Sequence, residues 1–388
     1  MDKKRPEWVP ADGGKEFTTS VMKGVESMHD GMPGTSRITS HVPQVHRRQL
    51  TIDEHVQGVL AKDRTILART ITLIESNSPR HMQKAQEVLK QLLPYTGKSV
   101  RLGITGVPGA GKSTFIEALG MQLVSSGHAL AVLAVDPSSS LTKGSVLGDK
   151  TRMEKLSRET NCFIRPSPSG GTLGGVTRKT RETCLLCEAA GFDVIFIETV
   201  GVGQNEITVR SLVDFFLLLK IAGAGDELQG IKKGIIELAD AILINKADGD
   251  NLQRAEVARD EFSRALHYLK SPTRGWTPRV LTASSIHGKG VADVWKMVEE
   301  FVAIVHKNKL FEERRKSQMI EWIHDLIREH LEQLFYHNDV IRAELPQAEA
   351  AVTAGTMPPT AAAQHLLALF EKTLFQTEYA KLDGKPEK

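Results

Sequence analysis

Between residues 51 and 93 apolar side chains return every three or four positions, at Val56, Val59, Leu60, Ile66, Leu67, Ile71 and Ile74. That period lines them along one face of a helix. Ser78-Pro79 interrupts the pattern, so the spacing predicts one helix before it and a second over residues 81–93. From residue 100 the period changes. Short, nearly continuous apolar runs occupy residues 100–105, 129–135, 194–197, 213–219, 241–244 and 280–281, and helical stretches such as 114–125 and 251–269 separate most of them. Strands that alternate with helices and lack a polar face predict an α/β fold, a doubly wound and mostly parallel sheet covered on both sides. Beyond about residue 291 the pattern is helical again, with one long amphipathic segment over 311–335 and a last helix after Pro358-Pro359. Residues 1–45, rich in Gly, Pro, Ser and His, carry no sustained period and read as a flexible extension. The expected division is therefore an extension (1–45), a helical region (46–98), the α/β domain (99–305) and a helical arm (306–388).

The first chemistry lies where the first strand should end. Gly106-Val107-Pro108-Gly109-Ala110-Gly111-Lys112-Ser113, followed by Thr114, matches the phosphate-binding loop pattern and stands between a predicted strand and a predicted helix. Glycines let the backbone wrap a phosphate, and successive N–H groups with the helix N-terminus supply partial positive charge. Lys112 is expected to reach the β- and γ-phosphates and Ser113 to coordinate Mg²⁺. Ligands of open α/β sheets sit beyond the carboxyl ends of the strands. Asp136 and Glu198 fall at two such ends and are candidate Mg²⁺ ligands, directly or through water; Asp149 is a third. Gly201, three residues after Glu198, can offer its N–H to the γ-phosphate.

Asn245-Lys246-Ala247-Asp248 follows another predicted strand. A carboxylate at the last position accepts two hydrogen bonds, and guanine presents two donors side by side. Adenine has no such pair and would leave the carboxylate buried without partners, at a cost of several kcal/mol. The aliphatic stem of Lys246 is expected along the base plane. Ser284, Ser285 and Ile286, after the last strand, are placed to add a backbone contact to the guanine oxygen.

Bulk composition narrows the partners. Fifty basic against 47 acidic side chains leave a net charge of +3, which argues against a nucleic-acid or membrane partner bound chiefly by charge. No apolar run approaches the about 18 residues that a membrane helix needs. Three cysteines are too few for a disulfide framework. Asp12, Glu16, Glu26 and Asp30 count against a transit peptide, so the expected compartment is the cytoplasm.

Taken together, residues 103–114, 135–148, 198–206, 220–234 and 245–248 resemble the MeaB/ArgK/MMAA family of P-loop GTPases. The similarity covers roughly residues 50–340. The resemblance implies a GTP/GDP-binding, Mg²⁺-dependent hydrolase that chaperones an adenosylcobalamin-dependent acyl-CoA mutase, gating the loading of cofactor and the removal of damaged cobalamin. The cobalamin would be held by the mutase, with a cobalamin adenosyltransferase as a further partner. It also implies a homodimer joined through the C-terminal arm and a switch loop over residues 222–234 carrying Asp226, Lys232 and Lys233. Arg152 is a candidate for a guanidinium set against developing phosphate charge. The chain departs from the family at Ser284-Ser285-Ile286, where the family usually has Ser-Ala-Arg, and the first 45 residues match no family feature.

Two further patterns carry bland readings. Asp53-Glu54-His55-Val56-Gln57-Gly58 has the form of a cobalamin histidine motif but opens a helix, so His55 is expected on a helix surface. Cys184-Leu185-Leu186-Cys187 lacks the third and fourth ligands that zinc needs and reads as part of a buried helix. That lack also weighs against a nickel-insertion GTPase, the main rival; a nucleotide-dependent scaffold for the mutase is the other.

Overall fold

The computed structural model describes residues 48–135, 153–167, 173–199, 209–223 and 233–382. Residues 1–45, Asp136, Asp149, Arg152, Gly201, Asp226 and Lys232 lie outside the described residues, as does the side chain of Lys233. Among the described residues, seven strands form one sheet: β1 (Val100–Gly106), β2 (Leu130–Val135), β3 (Cys162–Ser167), β4 (Val194–Thr199), β5 (Phe215–Ile221), β6 (Ala241–Asn245) and β7 (Arg279–Thr282). Their order is β3-β2-β4-β1-β5-β6-β7, and every pairing is parallel.

The helices are α1 (Ile52–Leu60), α2 (Arg64–Glu75), α3 (Pro79–Leu92), α4 (Lys112–Ser125), α5 (Glu154–Arg158), α6 (Leu173–Ala189), α7 (Lys233–Leu238), α8 (Leu252–His267), α9 (Val291–Lys307), α10 (Leu310–Tyr336), α11 (Asp339–Thr353) and α12 (Pro359–Leu382). Alternate strand positions divide the core in two. Leu102, Ile104, Phe196 and Leu217 face Phe115 of α4 and Phe301 of α9. Ile195, Ile197, Phe216 and Ile242 face the other way, into a core shared with α1–α3 and with Cys184 and Cys187 of α6. Each fully buried aliphatic or aromatic side chain contributes roughly 1.5–3 kcal/mol, so both faces of the sheet must be covered.

Several expectations change. The stretch before Ser78-Pro79 holds two helices, because Lys62 turns into the left-handed region (φ 60°) and Asp63 caps α2 through Thr65 N at 2.8 Å and Ile66 N at 3.0 Å. His55 is buried, not on the surface; its Nδ1 lies 2.7 Å from Thr70 Oγ1, and burial, then Lys84 and Arg69, push its pKa down. Strand β3 was absent from the apolar pattern because Arg165 and Pro166 break it. It is an edge strand, where a proline costs no central ladder bond. Strand β5 starts two residues later than the apolar run, since Asp214 is used elsewhere.

That use is at the root of the long helix α10. Arg315 donates to Asp214 Oδ2 at 2.7 Å, to Ser99 O at 2.6 Å and to Glu188 Oε1 at 3.3 Å. Glu188 also accepts from Arg101 Nε at 2.8 Å, Ser99 Oγ at 2.6 Å and Gly97 N at 2.8 Å. Burial pushes the Glu188 carboxyl up, but Arg101, Arg315 and the Ser99 hydroxyl outweigh it and hold it below the ordinary carboxylate range. Beyond this root, Met319, Ile320, Ile323, Ile327, Leu331 and Leu334 of α10 are all about half exposed, from 45% to 58%.

Candidate functional site: the carboxyl edge of the sheet

Register brings the predicted residues to one edge. Ile104, Glu198 and Ala134 stand level across β1, β4 and β2, so the start of the phosphate loop, Glu198 and the last residue of β2, Val135, come to the same edge side by side. Backbone sterics dictate the glycines. A Cβ on Gly106 would sit 2.3 Å from Leu219 O, and one on Gly111, at φ 84°, would sit 2.7 Å from Asn245 Nδ2. Gly111 caps α4, so the unpaired N–H groups of the first turn face the loop. Ala110 is fully buried beneath the loop, whereas Val107, Pro108, Gly109 and Thr114 are exposed. Lys112 is buried and its ammonium donates to the loop's own carbonyls, Gly106 O at 2.9 Å and Val107 O at 3.4 Å.

Ser113 Oγ donates to Glu198 Oε1 at 3.1 Å, which joins two of the proposed Mg²⁺ ligands. A hydroxyl and a carboxylate are the hard oxygen donors that suit this ion. Beside them, Thr105 Oγ1 and Thr199 Oγ1 approach to 2.8 Å, both buried.

At the far end of the same edge, Asn245 ties three loops together. Its Nδ2 donates to Ala110 O at 2.8 Å, while its Oδ1 accepts from Ser285 Oγ at 2.7 Å and from Ser285 N at 3.3 Å. Asp248 is half-buried and its Oδ2 accepts from the Ser284 hydroxyl. Lys246 is exposed and adopts a left-handed backbone (φ 59°), which Asn251 supports by donating Nδ2 to Lys246 O at 2.8 Å. Ile286 is 75% exposed. The structure thus brings together the phosphate loop, Glu198, Asn245, Asp248, Ser284 and Ser285. Sequence reasoning gave no role to Thr105, Thr199 or Asn251, although Thr105 and Thr199 lie within the family-like runs 103–114 and 198–206. For Thr199 the signal available was its place directly after Glu198.

The CxxC thiols take no part. Cys184 and Cys187 are fully buried in the core, and burial pushes the Cys184 thiol up to about 12 and that of Cys187 well above its ordinary value. Among the described residues no group of three or more His, Cys, Asp or Glu is placed to hold a metal ion, and no helix is long and apolar enough to cross a membrane.

A parallel sheet with a glycine loop running into a helix, and with an Asn-Lys-x-Asp turn on the same edge, defines a P-loop GTPase fold. Residues 67–339 match the family described as methylmalonyl Co-A mutase-associated GTPase MeaB. A Caulobacter vibrioides protein named as a GTPase is 53% identical over 321 residues, 83% of this chain and 98% of its own length. The mouse methylmalonic aciduria type A homolog, mitochondrial, is 43% identical over 335 residues, 84% of this chain and 81% of its own. The crystal structure of a LAO/AO transport system kinase superposes with a TM-score of 0.70 at 38% identity, covering 84% of this chain and 99% of that one. The chain belongs to the MeaB/ArgK/MMAA family of P-loop GTPases.

Proposed function

We propose that this protein hydrolyses GTP to GDP and phosphate to time its action on an adenosylcobalamin-dependent acyl-CoA mutase of the methylmalonyl-CoA type, whose cofactor loading and reactivation it chaperones. The observation that carries the reading is Asn245, which joins Ala110 of the phosphate loop to Ser285 beside Asp248, so that phosphate and base sites are one frame. Residues 106–114 cradle the phosphates. The ammonium of Lys112, held on loop carbonyls, is poised to exchange them for phosphate oxygens. Ser113 and Glu198, with Asp136 and Asp149, are the oxygen donors that would hold Mg²⁺, which supplies positive charge to the β- and γ-phosphate oxygens. Gly201 N–H and the Arg152 guanidinium are assigned to γ-phosphate charge developing in the transition state. Asp248, its carboxylate oriented by Ser284, selects guanine; Lys246 and the backbone of residues 284–286 complete the base site.

The family description itself names association with methylmalonyl Co-A mutase, and the mouse relative's name refers to methylmalonic aciduria. Asp226, Lys232 and Lys233 would signal nucleotide state to the partner. The exposed apolar stripe of α10 supports a homodimer joined through the arm. Inert, buried thiols speak against the nickel-carrier reading. The test is GTP and ATP turnover with and without a cobalamin-dependent mutase. Slow GTP-selective hydrolysis that accelerates with the mutase is the expected result. GTP selectivity with no response removes the partner, and equal use of ATP removes the role of Asp248.

A further inference from the structure

Strand β4 is held at its end on both faces. Strand side chains alternate, so Glu198 and Thr199 point to opposite sides of the sheet. On the α4 side Glu198 Oε1 accepts from Ser113 Oγ at 3.1 Å. On the other side the Thr199 hydroxyl meets that of Thr105 at 2.8 Å. The backbone pairing of β1 with β4 stops at Ile104 and Glu198, one residue short of the threonines. A side-chain hydrogen bond therefore takes over where the ladder ends. Thr105 is the residue before Gly106, where the phosphate loop departs, and Thr199 is the residue after Glu198. Across β4, Thr199 stands in register with Val135, the residue before Asp136.

Packing does not explain two threonines here. Each is 1% exposed, and valine has the same shape without a hydroxyl to desolvate. The polar pair is worth its desolvation when it fixes a distance, and catalysis by positioning is sensitive to shifts of a fraction of an ångström.

We propose that the Thr105–Thr199 hydroxyl pair is a positioning device for GTP hydrolysis, which fixes Glu198 against the phosphate loop and so sets the oxygen donors that hold Mg²⁺. Neither hydroxyl touches a reacting atom; both act through Glu198 and the loop. The inference rests on the GTPase reading above and on no assumption about the mutase.

The test compares Thr199→Val, Thr105→Val, the double valine variant and Thr199→Ser. Three readouts are needed: GTP turnover at varied GTP, turnover at varied Mg²⁺, and equilibrium binding of fluorescent mant-GDP with and without Mg²⁺. Thr199→Val is expected to lower kcat by about tenfold while KM for GTP changes by less than about twofold. Its Mg²⁺ midpoint rises several-fold, and the tightening of mant-GDP by Mg²⁺ shrinks. Thr199→Ser recovers most of each effect. The double variant is no worse than the more affected single one, because both remove the same bond. Wild-type kcat and Mg²⁺ midpoint in Thr199→Val overturn the proposal. A lower kcat with unchanged Mg²⁺ midpoint and unchanged mant-GDP binding overturns it too, since that is the signature of a merely structural role. Should Thr199→Val fail to fold, Thr105→Val and Thr105→Ser report the same quantities. A wild-type chain that neither binds mant-GDP nor turns over GTP overturns the parent reading, a result separable from any difference among variants.

Discussion

The two ends of the sheet use the same side-chain types to opposite effect. At the amino edge, Glu188, Asp214, Arg101 and Arg315 form a buried network in which each carboxylate oxygen meets a guanidinium, a hydroxyl or a backbone N–H. At the carboxyl edge, Lys112 rests on loop carbonyls, Glu198 on one serine and Asp248 on another. The amino-edge groups are locked on one another inside the fold, and breaking such a mutually satisfied buried network would cost several kcal/mol. The described contacts of Lys112, Glu198 and Asp248 lie instead at the phosphate loop and the Asn-Lys-x-Asp turn, where the family binds its nucleotide. Charge at the root of α10 builds structure, and charge at the carboxyl edge serves the nucleotide.

The largest test of this contrast is Lys112→Ala. GTP turnover is expected to fall by about a thousandfold, roughly 4 kcal/mol of transition-state stabilisation, with the thermal midpoint nearly unchanged. A loss of folding comparable to the loss of rate would erase the distinction between the two edges. Glu188→Ala should do the reverse. Removing Glu188 leaves the largely buried Arg101 guanidinium without the carboxylate it donates to, so chemical denaturation should show about 3 kcal/mol less stability, while kcat of the folded fraction stays within about twofold. Asp248→Ala sharpens the comparison within the nucleotide edge. It should cut the GTP-over-ATP preference by about a hundredfold in competition assays and leave stability almost untouched.

A smaller effect is expected with pH. The Glu188 carboxyl titrates lower in the folded chain than its ordinary value of 4.5, so the folded state is favoured while the group is ionised. That contribution is complete above about pH 4.5 and is lost as the pH falls through the folded value. Denaturation midpoints followed from pH 6 downward, on the order of two units, should drop less steeply in Glu188→Gln than in the wild type. Parallel slopes would mean that other carboxylates dominate acid unfolding.

Much of the carboxyl edge was legible because its chemistry is local. A glycine loop between a strand and a helix and an Asn-Lys-x-Asp turn after a strand each occupy a few consecutive residues, and the apolar runs that became β1, β4 and β6 announced where those residues would emerge. The Thr105–Thr199 pair was invisible for the opposite reason. Its members lie 94 positions apart and meet only through the parallel register of β1 and β4. The same holds for the root of α10, where Arg315 reaches Ser99 across 216 positions and nothing near either residue signals the other. His55 was misjudged because a capped helix start looks alike whether its inner face meets solvent or another helix; the packing of α2 against α1 buried it.

By itself, then, the sequence determined the α/β class, the parallel sheet and the family, since local period and contiguous motifs are written residue by residue. Tertiary structure decided which polar residues became a folded framework and which were left at a binding edge, because that depends on partners brought from distant parts of the chain and on the burial that makes each unpaired charge costly.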